Sequence, residues 1–251
     1  MGILSVTKIT KSFGGNTILD GIDIELEKGK IYQMIGPNGC GKTTLINIIS
    51  GLLKPDSGKI FFDGVDITKK GLYDTYSLGL VRTWQIPQPF ASLTVLENFM
   101  ISGMENIGES FLYASLKNKW SQDEQRIYDR ALKVMEMVNL TEKKDIQSQH
   151  LSGGQQKLLE LGRAMMSDAN IILMDEPIAG VNPTLAKNIF EKISNICKEQ
   201  KITFLIVEHR LDISLHYVEH VFAMDGGKII TQGAPEEIVK NPKVMESYLG
   251  R

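Results

Sequence analysis

The segment "GPNGCGKTT" at residues 36–44 follows the apolar run "IYQMI" at 31–35 and leads into the apolar-periodic "LINIIS". That order reads as a buried strand, a glycine-rich turn and a helix start. Gly36, Gly39 and Gly41 allow positive φ and turn backbone N–H groups inward, and the helix start adds positive potential. Such a loop cradles phosphate along its whole course, Pro37, Asn38, Cys40 and Thr44 included. Lys42 is placed to reach β and γ phosphates, and the Thr43 hydroxyl to coordinate Mg²⁺. A lone G-x-G would suit any turn before a helix; a complete G-x-x-x-x-G-K-T between strand and helix leaves that alternative little room.

A second segment, "NIILMDEP", supplies Ile171 to Met174 and then Asp175 and Glu176. A strand buried on both faces reads as such a run, and doubly wound folds place ligands at its carboxyl end. Asp175 is expected to hold Mg²⁺, and Glu176 to polarise an attacking water, a role worth roughly 10² to 10⁴ in rate. Two acids ending a strand can also be helix caps. These two segments alone leave a kinase, a GTPase, a helicase and a transport ATPase open.

The bulk properties narrow the setting. The chain has 251 residues and a net charge of −2, with no long basic stripe, which argues against nucleic acid as a partner. Its two cysteines, Cys40 and Cys197, stand in unrelated surroundings, the usage of a reducing compartment. "LINIISGLL", ended by Lys54 and Pro55, is far short of the roughly 18 to 20 residues of a membrane span. The start "MGILSV" has no basic n-region and has Val6 where myristoylation expects a hydroxyl. A chain of this kind working at a membrane would be brought there by another subunit.

"LSGGQQK" at 151–157 is a second glycine-rich helix start. With it, the chain resembles the nucleotide-binding subunits of ATP-binding cassette (ABC) proteins, whose signature Leu151 to Gln155 matches without substitution. The resemblance covers nearly the whole chain, with the motifs in family order. It implies a P-loop NTPase (RecA-like) α/β core with an N-terminal antiparallel β-subdomain and an inserted α-helical subdomain. It also implies that Phe13 in "KSFGG" stacks on adenine. Gln85 in "GLVRTWQ" would touch Mg²⁺ and the reacting water, and His209 in "ITFLIVEH" would bind the γ-phosphate. An early aromatic is otherwise core, and a lone histidine after a strand otherwise structural. In this family Ser152, Gly153, Gly154 and Gln155 lie on the edge opposite the phosphate loop and complete the site of a second copy, in a head-to-tail pair closing on two ATP.

Two positions depart from the family pattern. "IAGVNP" replaces the usual S-A-L-D, putting Asn182 near the aspartate position; Asn182 and Pro183 also read as a helix N-cap and N1 pair. Trp84 stands where related subunits carry Phe. "LVRTWQ", the extra segment at 103–124, "AGVNP" and "EHRLD" together look like the ATPase subunits of branched-chain amino acid importers. The partners implied are a homodimeric or paralogous subunit, transmembrane permease subunits and, through them, a substrate-binding protein, with the chain peripheral on the cytoplasmic face of the cell membrane. A coupling helix of the permease would dock near Trp84, Ile86 and Phe90, which could equally be core. A non-transport cassette ATPase would carry two cassettes or a long coiled coil, and a P-loop kinase would need an acceptor substrate.

The expected division is a core of residues 1–85 and 169–251 and a helical subdomain of 86–168. "QRIYDRALKVMEMVNL" puts Ile127, Ala131, Val134, Met135 and Val138 on one helical stripe. Residues 103–124 read as an extra loop or short helix. "HYVEH" at 216–220 fits the H-x-x-E-H zinc spacing, but "VFAMDGGKIITQG" after it reads as a hairpin that would turn the two histidines apart. Nearby Lys42 and the helix start are expected to lower the Cys40 thiol pKa.

Overall fold

The computed structural model describes residues 2–103 and 117–249. In chain order, the first elements are β1 (Leu4–Phe13), β2 (Asn16–Leu26), β3 (Ile31–Ile35), α1 (Lys42–Ile49), β4 (Ser57–Phe62), β5 (Val65–Asp66), α2 (Leu72–Ser77) and β6 (Leu80–Arg82). Three helices follow: α3 (Val95–Met100), α4 (Lys117–Met137) and α5 (Gly153–Met166). The rest is β7 (Ile171–Asp175), α6 (Pro183–Gln200), β8 (Thr203–Val207), α7 (Leu211–Ser214), β9 (His220–Asp225), β10 (Lys228–Gly233), α8 (Pro235–Ile238) and α9 (Pro242–Leu249).

The chain forms two compact units, one of residues 1–85 with 170–251 and one of residues 86–169. The first unit holds both sheets. Strands β2, β1, β4 and β5 make an antiparallel sheet in that spatial order; β10, β9, β3, β8, β7 and β6 make the other. In the second sheet β9, β3, β8, β7 and β6 run parallel, and β10 adds an antiparallel edge. This is the P-loop NTPase core with an antiparallel β-subdomain that the resemblance implies. Every residue of β3, β7 and β8 is buried, as strands covered on both faces require. That burial explains why "IYQMI", "IILMD" and "TFLIV" carry no alternating polar face. The core of this unit joins Leu4, Ile9, Leu26 and Phe62 of the antiparallel sheet to Leu45 and Ile49 of α1 and to Met34, Leu173 and Leu205.

The helical unit is built on α3, α4 and α5. Thr94 caps α3 with Glu97 in a reciprocal capping box, and buried Asn98 donates to the carbonyls of Phe90, Leu93 and Thr94 while accepting from the Phe90 N–H. One amide thereby satisfies the turn that "ASLT" makes before the helix. The α4 stripe is as the periodicity predicts: Ile127, Ala131, Val134 and Met135 are buried. The expected loop or short helix at 103–124 is corrected in its second half, because α4 already begins at Lys117; residues 104–116 lie outside the described residues. The hairpin of β9 and β10 turns at Gly226 and Gly227 as expected, which puts His220 on a strand while His216 sits in a 3₁₀ turn. The single-helix geometry of a zinc motif is therefore missing.

Gly162 on α5 faces the ring of Phe99 on α3 so closely that a Cβ would overlap ring carbons. Phe99 is fully buried and has nowhere to swing. Gly162→Ala should therefore destabilise the protein by about 1–3 kcal/mol despite the better helix propensity of alanine. Urea denaturation monitored by circular dichroism measures it; an unchanged or higher midpoint would contradict this packing.

Candidate functional site: a nucleotide site at the strand ends

The phosphate loop leaves β3 at Ile35 and enters α1 at Lys42. Gly36 and Gly41 have φ of 150° and 108°, and each backbone is pressed against its surroundings. A Cβ on Gly36 would strike the Met224 carbonyl, and one on Gly41 would lie 2.7 Å from Leu19 and 2.9 Å from the Ile18 carbonyl. Both positions thus need glycine for conformation and for space. Lys42 is buried, and its Nζ donates to the Gly36 and Pro37 carbonyls at 2.8 and 2.9 Å. The lysine thus spans its own loop.

Around this loop lies a cleft of about 310 Å³ lined by Phe13, Asn38, Lys42, Thr43, Glu176 and His209, among others. Phe13 ends β1, is 46% exposed, and has the Lys11 ammonium 5.4 Å from its ring centroid. It is therefore not the core aromatic that its strand position allowed. Larger, at about 590 Å³, is an open groove beside Tyr32 and Glu219 that contains no phosphate-loop residue. Glu27, Asp23 and Glu219 in that groove each take a hydrogen bond or ion pair from the protein itself.

Two acids stand over the phosphate loop with opposite surroundings. Asp175, the last residue of β7, is buried; burial pushes its carboxyl above the usual aspartate value, while Arg82, the Thr43 hydroxyl and Lys42 pull it down and Glu176 pushes it up. Glu176 is partly exposed and adopts φ +52°, a left-handed conformation uncommon outside glycine. Its carboxylate is gripped from both sides. Gln85 Nε2 donates to Oε2 at 2.6 Å, and His209 Nε2 lies 3.1 Å from Oε1. Residues separated by more than 120 positions in the chain thus meet on one carboxylate, because β6, β7 and β8 are neighbours in one sheet and end at the same edge.

The sequence pattern of the ABC transporter family matches residues 19–179, and that of the branched-chain amino acid ATP-binding cassette transporter matches residues 228–251. The chain belongs to the ABC transporter family.

The cassette is 47% identical over 250 residues to the probable branched-chain amino acid transport ATP-binding protein LivG of Archaeoglobus fulgidus, covering 100% of this chain and 96% of the relative. It is also 47% identical over 254 residues to the LivG of Methanocaldococcus jannaschii, covering 100% of this chain and 98% of the relative. Among solved structures, the ADP conformation of an ATP-binding cassette of an ABC transporter superposes with a TM-score of 0.87 at 45% identity, with 100% of both chains covered.

Ser152, Gly153, Gly154 and Gln155 belong to the helical unit, where they open α5. Ser152 Oγ accepts from the Gln155 N–H at 3.4 Å and Gln155 Oε1 accepts from the Ser152 N–H at 2.9 Å, a capping box. Asn182 is the N-cap of α6, accepting from the Leu185 N–H at 2.9 Å. Arg82 is a site residue that motif reading missed. Its guanidinium lies 3.6 Å from Asp175, bonds the Asn47 side chain on α1, and stacks 4.7 Å above Trp84, next to Gln85. The available signal was a charged residue closing the short apolar strand "LVR".

The expected lowering of the Cys40 thiol pKa is corrected. Burial raises it, and this outweighs Lys42, whose Nζ is 3.8 Å from Sγ. Cys197 is likewise raised by burial, to about 11. Because the thiolate is the nucleophile, a raised pKa leaves both groups protonated at pH 8. Alkylation by iodoacetamide at that pH, followed by mass spectrometry of each cysteine peptide, should run at least ~10-fold slower in the folded cassette than in denaturant. Equal rates for Cys40 in the two states would contradict the burial argument.

Proposed function

We propose that this cassette is the ATP-hydrolysing subunit of an importer for branched-chain amino acids. The observation that carries the chemistry is the double grip of Gln85 and His209 on Glu176 beside the phosphate loop. The cargo reading rests on full-length likeness to LivG proteins together with the match at residues 228–251. Residues 1–85 and 169–251 act as the nucleotide-binding core, and 86–168 as the helical subdomain that carries the signature.

ATP lies with its adenine on Phe13 and its phosphates along residues 36–44. Lys42 then exchanges its carbonyl partners at Gly36 and Pro37 for phosphate oxygens. Thr43 and Asp175, with the Gln85 side-chain oxygen, form the oxygen donor set that Mg²⁺ prefers, and the Thr43 hydroxyl already bonds the Asp175 carboxyl. When bound, Mg²⁺ supplies charge neutralisation on the phosphates. Glu176 orients a water for attack and takes its proton, with Gln85 and His209 fixing the carboxylate; His209 is also within the cleft that would receive the γ-phosphate.

Ser152 to Gln155 serve the nucleotide of a second, identical or paralogous subunit, which explains one phosphate loop and one signature per chain. A shift from 1:99 to 99:1 in favour of the closed pair takes about 5.5 kcal/mol, so each of the two ATP molecules contributes about half through contacts present only when closed. Hydrolysis removes the γ-phosphate and those contacts together. Among the described residues no helix is long and apolar enough to cross a membrane. In this reading, which the full-length likeness to LivG proteins supports, the cassette works on the cytoplasmic face through permease subunits, which receive cargo from a substrate-binding protein. Ile86 and Phe90 of the helical unit, exposed at 73% and 48%, suit the docking of a permease helix, and Trp84 of the first unit is likewise exposed, at 42%, rather than core.

Glu176→Gln should cut hydrolysis by 10² or more while accumulating an ATP-bound pair, read by phosphate release and by light scattering at saturating MgATP. A monomer under those conditions would sink the proposed cycle. Lys42→Ala should weaken ATP binding in calorimetry, and wild-type affinity would remove Lys42 from the phosphate site. Ser152→Ala combined with Gly154→Asp should leave ATP binding intact but abolish pairing and turnover; normal turnover would refute the cross-subunit role of the signature.

A further inference from the structure

Glu208 follows the fully buried strand β8 and is itself only 2% exposed. Its carboxylate takes backbone hydrogen bonds from two separate loops. Oε1 accepts from the Ile178 N–H at 3.1 Å, and Oε2 accepts from the His209 and Arg210 N–H groups at 2.8 and 3.2 Å. Ile178 lies in the turn that follows Glu176, where the Ala179 N–H donates to the Glu176 carbonyl at 3.1 Å. A second strap joins the same segments, since Arg210 Nη1 donates to the Val181 carbonyl at 3.4 Å. The Glu208 carbonyl in turn accepts from Nε2 of buried Gln33 at 3.3 Å, tying this hub to the strand that ends in the phosphate loop.

We propose that Glu208 is a positioning residue for ATP hydrolysis, whose buried carboxylate fastens the His209 loop to the turn after Glu176 so that the two side chains move as one unit. The proposal rests on the roles of Glu176 and His209 given above. A carboxylate is costly to bury, and one that spends its acceptors on main-chain N–H groups of two loops fixes their separation more tightly than a single side-chain contact would. His209 Nε2 and Glu176 Oε1 are 3.1 Å apart, and that distance depends on both loops holding station. An acid that merely satisfied one turn would need only one of the two loops.

The amide of Glu208→Gln has one accepting oxygen and one donating nitrogen, so whichever it serves, the His209 and Arg210 N–H groups or the Ile178 N–H, its NH₂ meets the other as donor against donor. In the full chain at saturating MgATP this variant should lose about 10- to 100-fold in kcat, the scale of a misplaced catalytic group, with KM for ATP within about twofold of wild type. In spectra of the four histidines, labelled in the ring, the His209 signal should move while those of His150, His216 and His220 stay. Glu208→Ala, which frees both loops, should lose at least as much kcat. Wild-type kcat in both variants, movement of all four histidine signals together, or failure of even the isosteric glutamine variant to fold would overturn the proposal in favour of a general structural acid. Glu176→Gln separates the two levels: wild-type hydrolysis in that variant would defeat the functional reading itself, whatever Glu208 does.

Discussion

The phosphate end of the nucleotide site follows from a parallel sheet that is buried on both faces. Strands β3, β7 and β8 have no solvent-facing side, so the polar groups that can meet a ligand enter where each strand stops. Parallel pairing then sends all those stops to one edge. The phosphate loop leaves β3 there, Gln85 follows β6 by three residues, Asp175 closes β7, and His209 comes two residues after β8. No long-range recognition between these side chains is needed to gather them. The hydrogen-bond ladder of the sheet does so, and side-chain contacts such as Gln85 to Glu176 only set the last ångström.

Electrostatics then distinguishes two adjacent acids. Asp175 is inside, among Arg82, Lys42 and Thr43, and its carboxyl is raised by burial against the pull of those partners. Glu176 is turned outward by its left-handed backbone, and its N–H still bonds the Val207 carbonyl on the neighbouring strand. The strained residue is therefore not loose; it is anchored by its main chain and aimed by two side chains. Strain of this kind, of order 1–3 kcal/mol, persists where the surroundings over-determine the conformation. The chain thereby separates a buried acid among cationic partners from an outward-turned one beside the phosphate loop, although the two share a peptide bond, and the proposed division between cation and water rests on that difference.

The motif-bearing parts of this arrangement were legible in the sequence because each has a local signature. Three glycines before Lys42, an apolar run before Asp175 and Glu176, and the pair Asn182–Pro183 declare a loop, a buried strand and a helix start without reference to anything distant. Arg82 and Glu208 were not legible in the same way. Each is one charged residue at the end of an apolar strand, and its meaning lies in what the neighbouring strand brings beside it: Asp175 for Arg82, the Ile178 N–H for Glu208. Cys40 was misread for a related reason. Its sequence neighbours argue for a stabilised thiolate, but burial, a property of the fold, outweighs them. The start of α4 at Lys117 was also missed, since "KNKWSQDE" has a polar surface composition that a helix and a loop share.

The signature stretch shows how one local structure can meet two demands. Ser152 and Gln155 cap α5 reciprocally, which is sufficient reason for a serine followed by a glutamine three residues later in a chain with no second subunit at all. Their use toward a partner's nucleotide would conflict with this if the same atoms had to let go. They need not. A hydroxyl both accepts and donates, so Ser152 Oγ can accept from the helix while its O–H turns outward to a phosphate oxygen. The helix-side bond is long, at 3.4 Å, and a capping serine is worth about 1 kcal/mol, so even its complete loss would be small beside the roughly 5.5 kcal/mol needed to close the pair. Gly153 adds an open approach: apart from its chain neighbours and its own helix backbone, nothing lies within 4 Å of where a Cβ would stand. Capping thus pre-organises the helix start, and in the proposed pair the energy of closing would be left to the phosphate contacts.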